Sequence, residues 1–358
     1  MKKALRYGGG IVALLLAYLF VWPSQIDAVS WNPPVSKGMT GAFSLNDKLK
    51  TAEILSLSDG YGPEDVAVDS AGRIYGGLQD GRIIRLNADG GEQETFVTIE
   101  GGRPLGLAFD AAGNLIVADA WKGLLSVSPE GAVTVLTTGH GGRPFMFADD
   151  LDIGSDGKIY FSDASDTYSQ PDYTFDLMEA RGHGRLMVFD PATSGTKMLL
   201  DGLYFANGIA LSQNEDFVLV NETGRYRVTR YWLKGAKAGQ RDVFIDNLPG
   251  FPDGISSNGK GVFWLAIPSP RSPQLDQAHP SVWLKNLLSK LPKALSPKAI
   301  RHGTVVALNE QGEVLHTLHD PDGANVYMVT SVEQVGDLIY LGSLEAPQYV
   351  VGTSELQV

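Results

Sequence analysis

The chain contains no cysteine. Disulfides, thiolate catalysis and cysteine-held zinc or iron–sulfur centres are therefore excluded. This absence does not identify a compartment. Positive charge is also in short supply: 29 Lys and Arg stand against 41 Asp and Glu, a formal net charge of −12. No basic stripe with interleaved aromatics stands out. Nucleic acid is thus not expected as a partner, and the protein as a whole should not be drawn to anionic lipid.

Long apolar runs are rare, which makes "IVALLLAYLFVW" from Ile11 to Trp22 conspicuous. Lys2, Lys3 and Arg6 precede it. A charged segment followed by an apolar one has the form of a signal sequence or signal anchor. Counted from Tyr7, the run is slightly short of the about 20 residues that a membrane helix wants. The following "SQIDAVSW" is a poor cleavage site. We therefore expect an uncleaved anchor, with a cleaved signal and a soluble exported product as the alternative. Positive charges stay in the cytoplasm, which puts the chain after Trp22 on the far side, periplasmic or lumenal. The chain divides into an anchor or signal over 1–28 and a globular part over 29–358.

Glycine, in contrast, is frequent, with 42 residues. Many tight turns imply many short strands. A repeat bears this out. "EDVAVDSAGRIYGG" begins at Glu64, "LGLAFDAAGNLIVAD" at Leu105, "DDLDIGSDGKIYFSD" at Asp149, "NGIALSQNEDFVLV" at Asn207, "DGISSNGKGVFWLA" at Asp253 and "TSVEQVGDLIYLG" at Thr330. Each reads strand, polar and glycine turn, strand, and further strands often follow. This outline predicts an all-β fold, a six-bladed β-propeller. "AEILSL", near Ala52 to Leu57, should complete the last blade. The longest excursion contains "SVWLKNLLSKLPKAL". Trp283, Leu284, Leu287, Leu288 and Leu291 recur there at helical spacing, with Lys285, Lys290 and Lys293 between them. This helical insert near the channel mouth either packs on the propeller, or serves as a lid or an interfacial helix on a membrane.

The first strand of each blade lines the central channel. Equivalent positions therefore form one ring: Glu64, Leu105, Asp149, Asn207, Asp253 and Thr330. Four of them carry hard oxygen side chains. Three carboxylates and an amide converging there repel one another unless something positive sits among them. Oxygen-only donors point to Ca2+, which takes 6 to 8 of them with loose geometry. Zinc would want imidazole or thiolate. Asp65 and Asp150 each follow a proposed ligand. They either hold a second calcium or cap turns.

The phrases "GPEDVAVD", "GRPLGLAFDAAGNLIVADAWKGLL", "FADDLDIGSDGKIYFSDAS", "YFANGIALS" and "LPGFPDGIS" resemble the strictosidine-synthase-like family. That family sits among the calcium-dependent propellers with paraoxonases and gluconolactonases. The resemblance implies calcium ligation by Glu64, Asp149, Asn207 and Asp253. It matches Asp65 and Asp150 to the structural-calcium aspartates of paraoxonases. Three departures are visible. Thr330 stands where strictosidine synthase has its catalytic glutamate, which argues against that synthase reaction. Leu105 stands where paraoxonases have a channel histidine. Gly254 stands where they have an asparagine.

The expectation is a calcium-dependent hydrolase of a small-molecule ester or lactone. Asp253 serves as base or nucleophile, and His140, in "TGHGGRPF", is a second catalytic candidate in a loop that can reach the mouth. His183 is another loop histidine of this kind. Arg103 and Arg143 recur in "GGRP" as salt-bridge or anion-binding residues. The alternative class is a non-catalytic binding or scaffolding propeller with a structural calcium. The sequence leaves the oligomeric state open.

Overall fold

The computed structural model describes residues 18–292 and 299–352. Most of the apolar run, its preceding cations and Lys293 lie outside the described residues. Among those residues, no helix is long and apolar enough to cross a membrane.

Local chemistry sets the hairpins. Asp69 Oδ1 accepts from the backbone N–H of Ala71 and of Arg73, both at 2.9 Å. Asp110 does the same for Ala112 at 2.9 Å and Asn114 at 2.8 Å. Each turn also needs a residue at positive φ, supplied by Gly72 at 81° and Gly113 at 84°. Glycine takes that conformation without steric cost. The Asp-x-x-Gly spacing thus reverses the chain and fixes the register of the strands on either side.

Among the described residues, six four-stranded antiparallel sheets result. Their first strands are Ala67–Val68, Pro104–Phe109, Ala148–Ile153, Ala206–Leu211, Ile255–Ser257 and Val329–Val335. We call the sheets blades one to six in that order. First strands of successive blades pack side by side around an axial channel. In blade six, Glu53–Ser56 pairs with Gln348–Gly352, in register Glu53↔Val351, so the N-terminal strand completes that blade as expected. The seam between blades six and one is closed from Thr330 Oγ1 to the Glu64 carbonyl, 2.6 Å, and from the Ser343 N–H to the Pro63 carbonyl, 2.8 Å.

Alternating strand residues fill the spaces between blades. Ile116, Ala118 and Leu124 of blade two meet Leu151, Phe161 and Met187 of blade three in one buried cluster. Burial of such apolar surface, at about 25 cal/mol per Å², is the main force holding neighbouring blades together.

Pro104 pairs with Asp119, and Ala148 with Asp163. The start of each first strand is therefore level with the end of the second. Both long excursions leave from that end, which is the end of the oxygen ring. Blade three sends out helix α1 (Tyr173–Glu179), and blade five sends out α2 (Pro273–Ala278) and α3 (Val282–Leu288). Ser272 and Ser281 cap α2 and α3, accepting from Leu275 N–H at 3.3 Å and Leu284 N–H at 3.2 Å. The helix read around Trp283 is present, but its lysine is not on the outside. Lys285 is fully buried, while Trp283 is 61% exposed.

Candidate functional site

The ring residues occupy the N-terminal ends of the first strands. Glu64, Asp149 and Asn207 are buried, and Asp253 is half-buried. The backbone at Asp253 is tightly held. Its carbonyl accepts from Gly208 N–H at 3.0 Å and from the Asn221 amide, and its N–H donates to the Ala266 carbonyl at 3.0 Å. The Asn207 amide donates to Asp253 Oδ1. Leu105 and Thr330 complete the ring and are buried. The Thr330 hydroxyl is engaged at the seam.

Buried charge dominates the electrostatics. Burial pushes the Glu64 carboxyl well above its ordinary range, and the charges of Asp149, Asp253 and Asp65 push it further. Asp149 is raised by burial, then by Asp253 and Asp150. Burial lifts Asp253 to about 7, against the pull of the Asn207 amide. Arg103 opposes the shifts at Glu64 and Asp149. It is buried and donates to the carbonyls of Gly77 at 3.2 Å, Pro104 at 3.1 Å and Gly62 at 3.3 Å. It is a backbone brace between blades one and two, whereas Arg143 is exposed and pairs with Asp166 at 2.7 Å.

The donor chemistry fits a hard cation. Asp149 Oδ2 is buried with no hydrogen-bond partner, and the acids around it are desolvated, with the single charge of Arg103 set against three carboxyls. Among the described residues, no three acidic or imidazole groups form a preassembled metal cage. Calcium is therefore argued from donor type, burial and charge.

Asp65 and Asp150 have a different job. Asp65 accepts from Val66 N–H through Oδ1 and from Leu107 N–H of blade two through Oδ2, both at 2.8 Å. Asp150 does the same for Leu151 and for Ile209 of blade four, both at 2.8 Å. They are clamps between adjacent first strands, a role the sequence reading did not name. At the same register, blades two, four and five have Gly106, Gly208 and Gly254. A Cβ on Gly254 would meet the Thr330 carbonyl oxygen at 2.5 Å, so the asparagine of paraoxonases has no room there.

Asp152 and Glu333 were missed from the sequence. Both line the channel three residues beyond the ring. Asp152 accepts from Ile153 and from Leu211 N–H, each at 2.7 Å, which makes it a second clamp between blades three and four. Glu333 is raised well above its usual range by burial and by Asp65, Asp152 and Asp150. Acids within inner strands, where they are disfavoured, were the available signal.

His140 is not brought to the channel. It lies in the hairpin of Gly139–His140 with Arg143–Pro144, which leans on Gly195–Leu203, the outermost strand of blade three. The residues lining the channel, with a cavity of about 280 Å³, include no histidine. His183 is engaged elsewhere, by Glu179 Oε1 at 2.7 Å and by the Thr167 hydroxyl at 3.0 Å. Beside the ring, Leu105, Phe147 and Phe205 form an apolar cluster with Tyr173 and Leu177 of α1.

Comparison with known proteins agrees with this architecture. The strictosidine synthase family profile matches residues 149–236, and the strictosidine synthase-like N-terminal profile matches 41–86. The protein strictosidine synthase-like 13 of Arabidopsis thaliana is 38% identical over 74% of this chain and 73% of its own length. The adipocyte plasma membrane-associated protein of Homo sapiens is 35% identical over 93% of this chain and 85% of its own. In fold the chain is similar to a gluconolactonase from Xanthomonas campestris. The TM-score is 0.61 at 17% identity, covering 93% of this chain and 99% of that one. It is also similar to the calcium-binding protein regucalcin from Agrobacterium tumefaciens. There the TM-score is 0.57 at 14% identity, covering 82% and 92%. The long matches to sequence relatives carry the conclusion that this chain belongs to the strictosidine synthase-like family.

Proposed function

We propose that the protein is a calcium-dependent hydrolase of esters or lactones. The observation that carries this reading is the ring of Glu64, Asp149, Asn207 and Asp253, with an unpartnered Asp149 Oδ2 beside an apolar wall. Those four side chains would hold the cation. When bound, it would polarise a substrate carbonyl. Asp253 is the proton-accepting group, since it is the one ring carboxylate that stays half-buried and within reach of water. Asn207 orients it through the amide hydrogen bond to Oδ1. Leu105, Phe147, Phe205 and Tyr173 exclude water and receive the apolar part of the substrate. Arg103 keeps the blade carrying Glu64 against blade two. The fold shared with a gluconolactonase and with regucalcin supports the reading as likeness of architecture.

The direct test uses the purified full chain with phenyl acetate and a series of lactones, in calcium and in chelator. Turnover that needs calcium and disappears in Asp253→Asn is the expected result. Calcium-independent turnover, or none with any substrate, overturns the reading. The lack of a channel histidine favours a second reading, a binding or scaffolding propeller with a structural calcium. In that case calcium raises the melting temperature and no ester is cleaved.

Synthase activity is not proposed. Residue 330 has no carboxylate, and its hydroxyl is bound to the Glu64 carbonyl. For location, we propose a membrane-anchored propeller outside the cytoplasm. The cations before the apolar run support this, as does similarity to a plasma membrane-associated protein.

A further inference from the structure

Helix α3 is inverted. Its lysine points inward, where Lys285 Nζ donates to the carbonyls of Val29 at 2.5 Å and Glu179 at 3.2 Å. Lys290, just after the helix, is also buried and donates to the Leu19 carbonyl at 2.9 Å. The outward residues are apolar: Trp283 is 61% exposed and Val282 38%. A helix set in water puts its lysines out and its tryptophan in. The arrangement here suits a surface that another apolar phase covers.

The patch extends beyond the helix. Phe20 stacks on Trp283 with ring centroids 6.4 Å apart, and Tyr18 lies 6.1 Å from Trp22. Phe20, Val21 and Trp22 are 60%, 81% and 61% exposed. These residues are the end of the apolar run that starts at Ile11. A bilayer anchored by that run would meet α3 directly, and tryptophan and tyrosine favour the lipid–water boundary. Charge agrees locally. Between Asp276 and Glu310 the sequence holds no acid to repel a lipid headgroup, in a chain of net charge −12.

We propose that this face of the propeller lies on a lipid bilayer, with Val282, Trp283 and Phe20–Trp22 in the interface. This is a contact additional to any membrane span made by the N-terminal run. Because α3 leaves from the ring end, the bilayer then lies on the side of the channel mouth. Docking of this face requires nothing of the ring's chemistry.

The cysteine-free sequence makes the test direct. In the full chain, Val282→Cys and, separately, Val135→Cys each carry one environment-sensitive fluorophore. Val135 is 57% exposed on the outer strand of blade two and serves as the aqueous control. The probe is a phosphatidylcholine vesicle, with and without nitroxide-labelled lipid. After reconstitution, the label at 282 should shift to the blue, and nitroxide lipid should quench it several-fold more than the label at 135. Adding Trp283→Ser should at least halve that quenching and leave the label at 135 unchanged. Equal quenching of both labels by aqueous iodide would overturn the proposal, because a span alone can tether the propeller away from the surface. A blue shift that appears in detergent without lipid and grows with protein concentration would also overturn it, in favour of a second copy of the chain.

Discussion

Two sets of acids share one channel, separated by one or three residues along the same strands. Asp149 and Asp150 are adjacent. Asp149 leaves Oδ2 with no donor, while both oxygens of Asp150 take backbone N–H groups, one of them from the next blade. Asp65, Asp150 and Asp152 follow the second pattern. Burial raises the carboxyls of both sets, lifting Asp65 and Asp152 to about 6 even against two backbone hydrogen bonds each. The raised proton affinity therefore does not separate ligand from clamp. The fate of each oxygen does. An acid whose oxygens are spoken for holds blades together, and one left open is available to a cation.

The sharpest break of this comparison is functional. Asp253→Asn should lower kcat/KM for a cleavable ester at least about 100-fold, the scale of removing one electrostatic stabiliser of the transition state. Circular dichroism should show the fold intact. The same experiment on Asp152→Asn should leave kcat/KM within a few-fold, because Asp152 lies deeper in the channel and serves the backbone. Equal losses in both would erase the distinction.

The next effect is on stability. Asp150→Ala removes the acceptor of two N–H groups, which costs about 2 to 6 kcal/mol at about 1 to 3 each. Asp149→Asn removes a buried charge with an unpartnered oxygen. Urea unfolding in chelator should therefore show a large loss for Asp150→Ala and none, or a gain, for Asp149→Asn. In calcium, Asp149→Asn should fall behind the parent, since a ligand bound only by the native state adds stability. Loss of stability in chelator from the Asp149 change would show that this residue is also a clamp.

A smaller effect tests the glycines that alternate with the clamps. A methyl on Gly254 would face the Thr330 carbonyl, a backbone atom that cannot swing aside. Gly254→Ala should cost about 1 to 3 kcal/mol by overpacking. Hydrogen exchange should rise at the contact between blades five and six, where the Gly254 N–H donates to the Thr330 carbonyl at 2.8 Å. Unchanged exchange there would mean that the first strands are free to move apart.

The ring was legible in the sequence because strand period and turn chemistry fix it together. Each ring position lies a set distance before a turn residue, and Gly72 and Gly113 lock two of those turns. Asp152 and Glu333, three residues further along, were missed although the same register would have found them. The role of Asp65 was not, because its second partner, Leu107 N–H, belongs to the next blade. His140 sits in a hairpin whose course depends on the outer strand of blade three, and no local pattern encodes that packing. The helical spacing around Trp283 was readable, but its orientation was not. The carbonyls that draw Lys285 inward come from Val29 and Glu179, more than 100 residues away.

The smallest effect concerns the strap that leads from the N-terminal run to the propeller. Glu179 Oε2 accepts from the Asp27 N–H at 2.8 Å and from the Tyr168 hydroxyl, while Oε1 meets His183 Nε2 at 2.7 Å. Asp166, Asp176 and Arg181 also face this pair. The hydrogen bond to Glu179 raises the His183 pKa above its ordinary 6.5. Glu179 is held below its ordinary value by His183, Tyr168 and the Asp27 N–H, which outweigh its burial. A raised histidine adds stability that is complete below the unfolded value and is lost as pH rises through the folded one. A lowered glutamate adds stability above its unfolded value and loses it as pH falls through the folded one. The pair therefore holds best between about pH 5 and 6.5. It should loosen by about 1 kcal/mol as pH rises to 8, the size of a partly screened ion pair. Hydrogen exchange at the Asp27 N–H, corrected for its intrinsic pH dependence, should accelerate about fivefold over that range. His183→Gln should flatten the profile while leaving the ring chemistry unchanged. A profile that keeps its slope in His183→Gln would assign the pH response to another group.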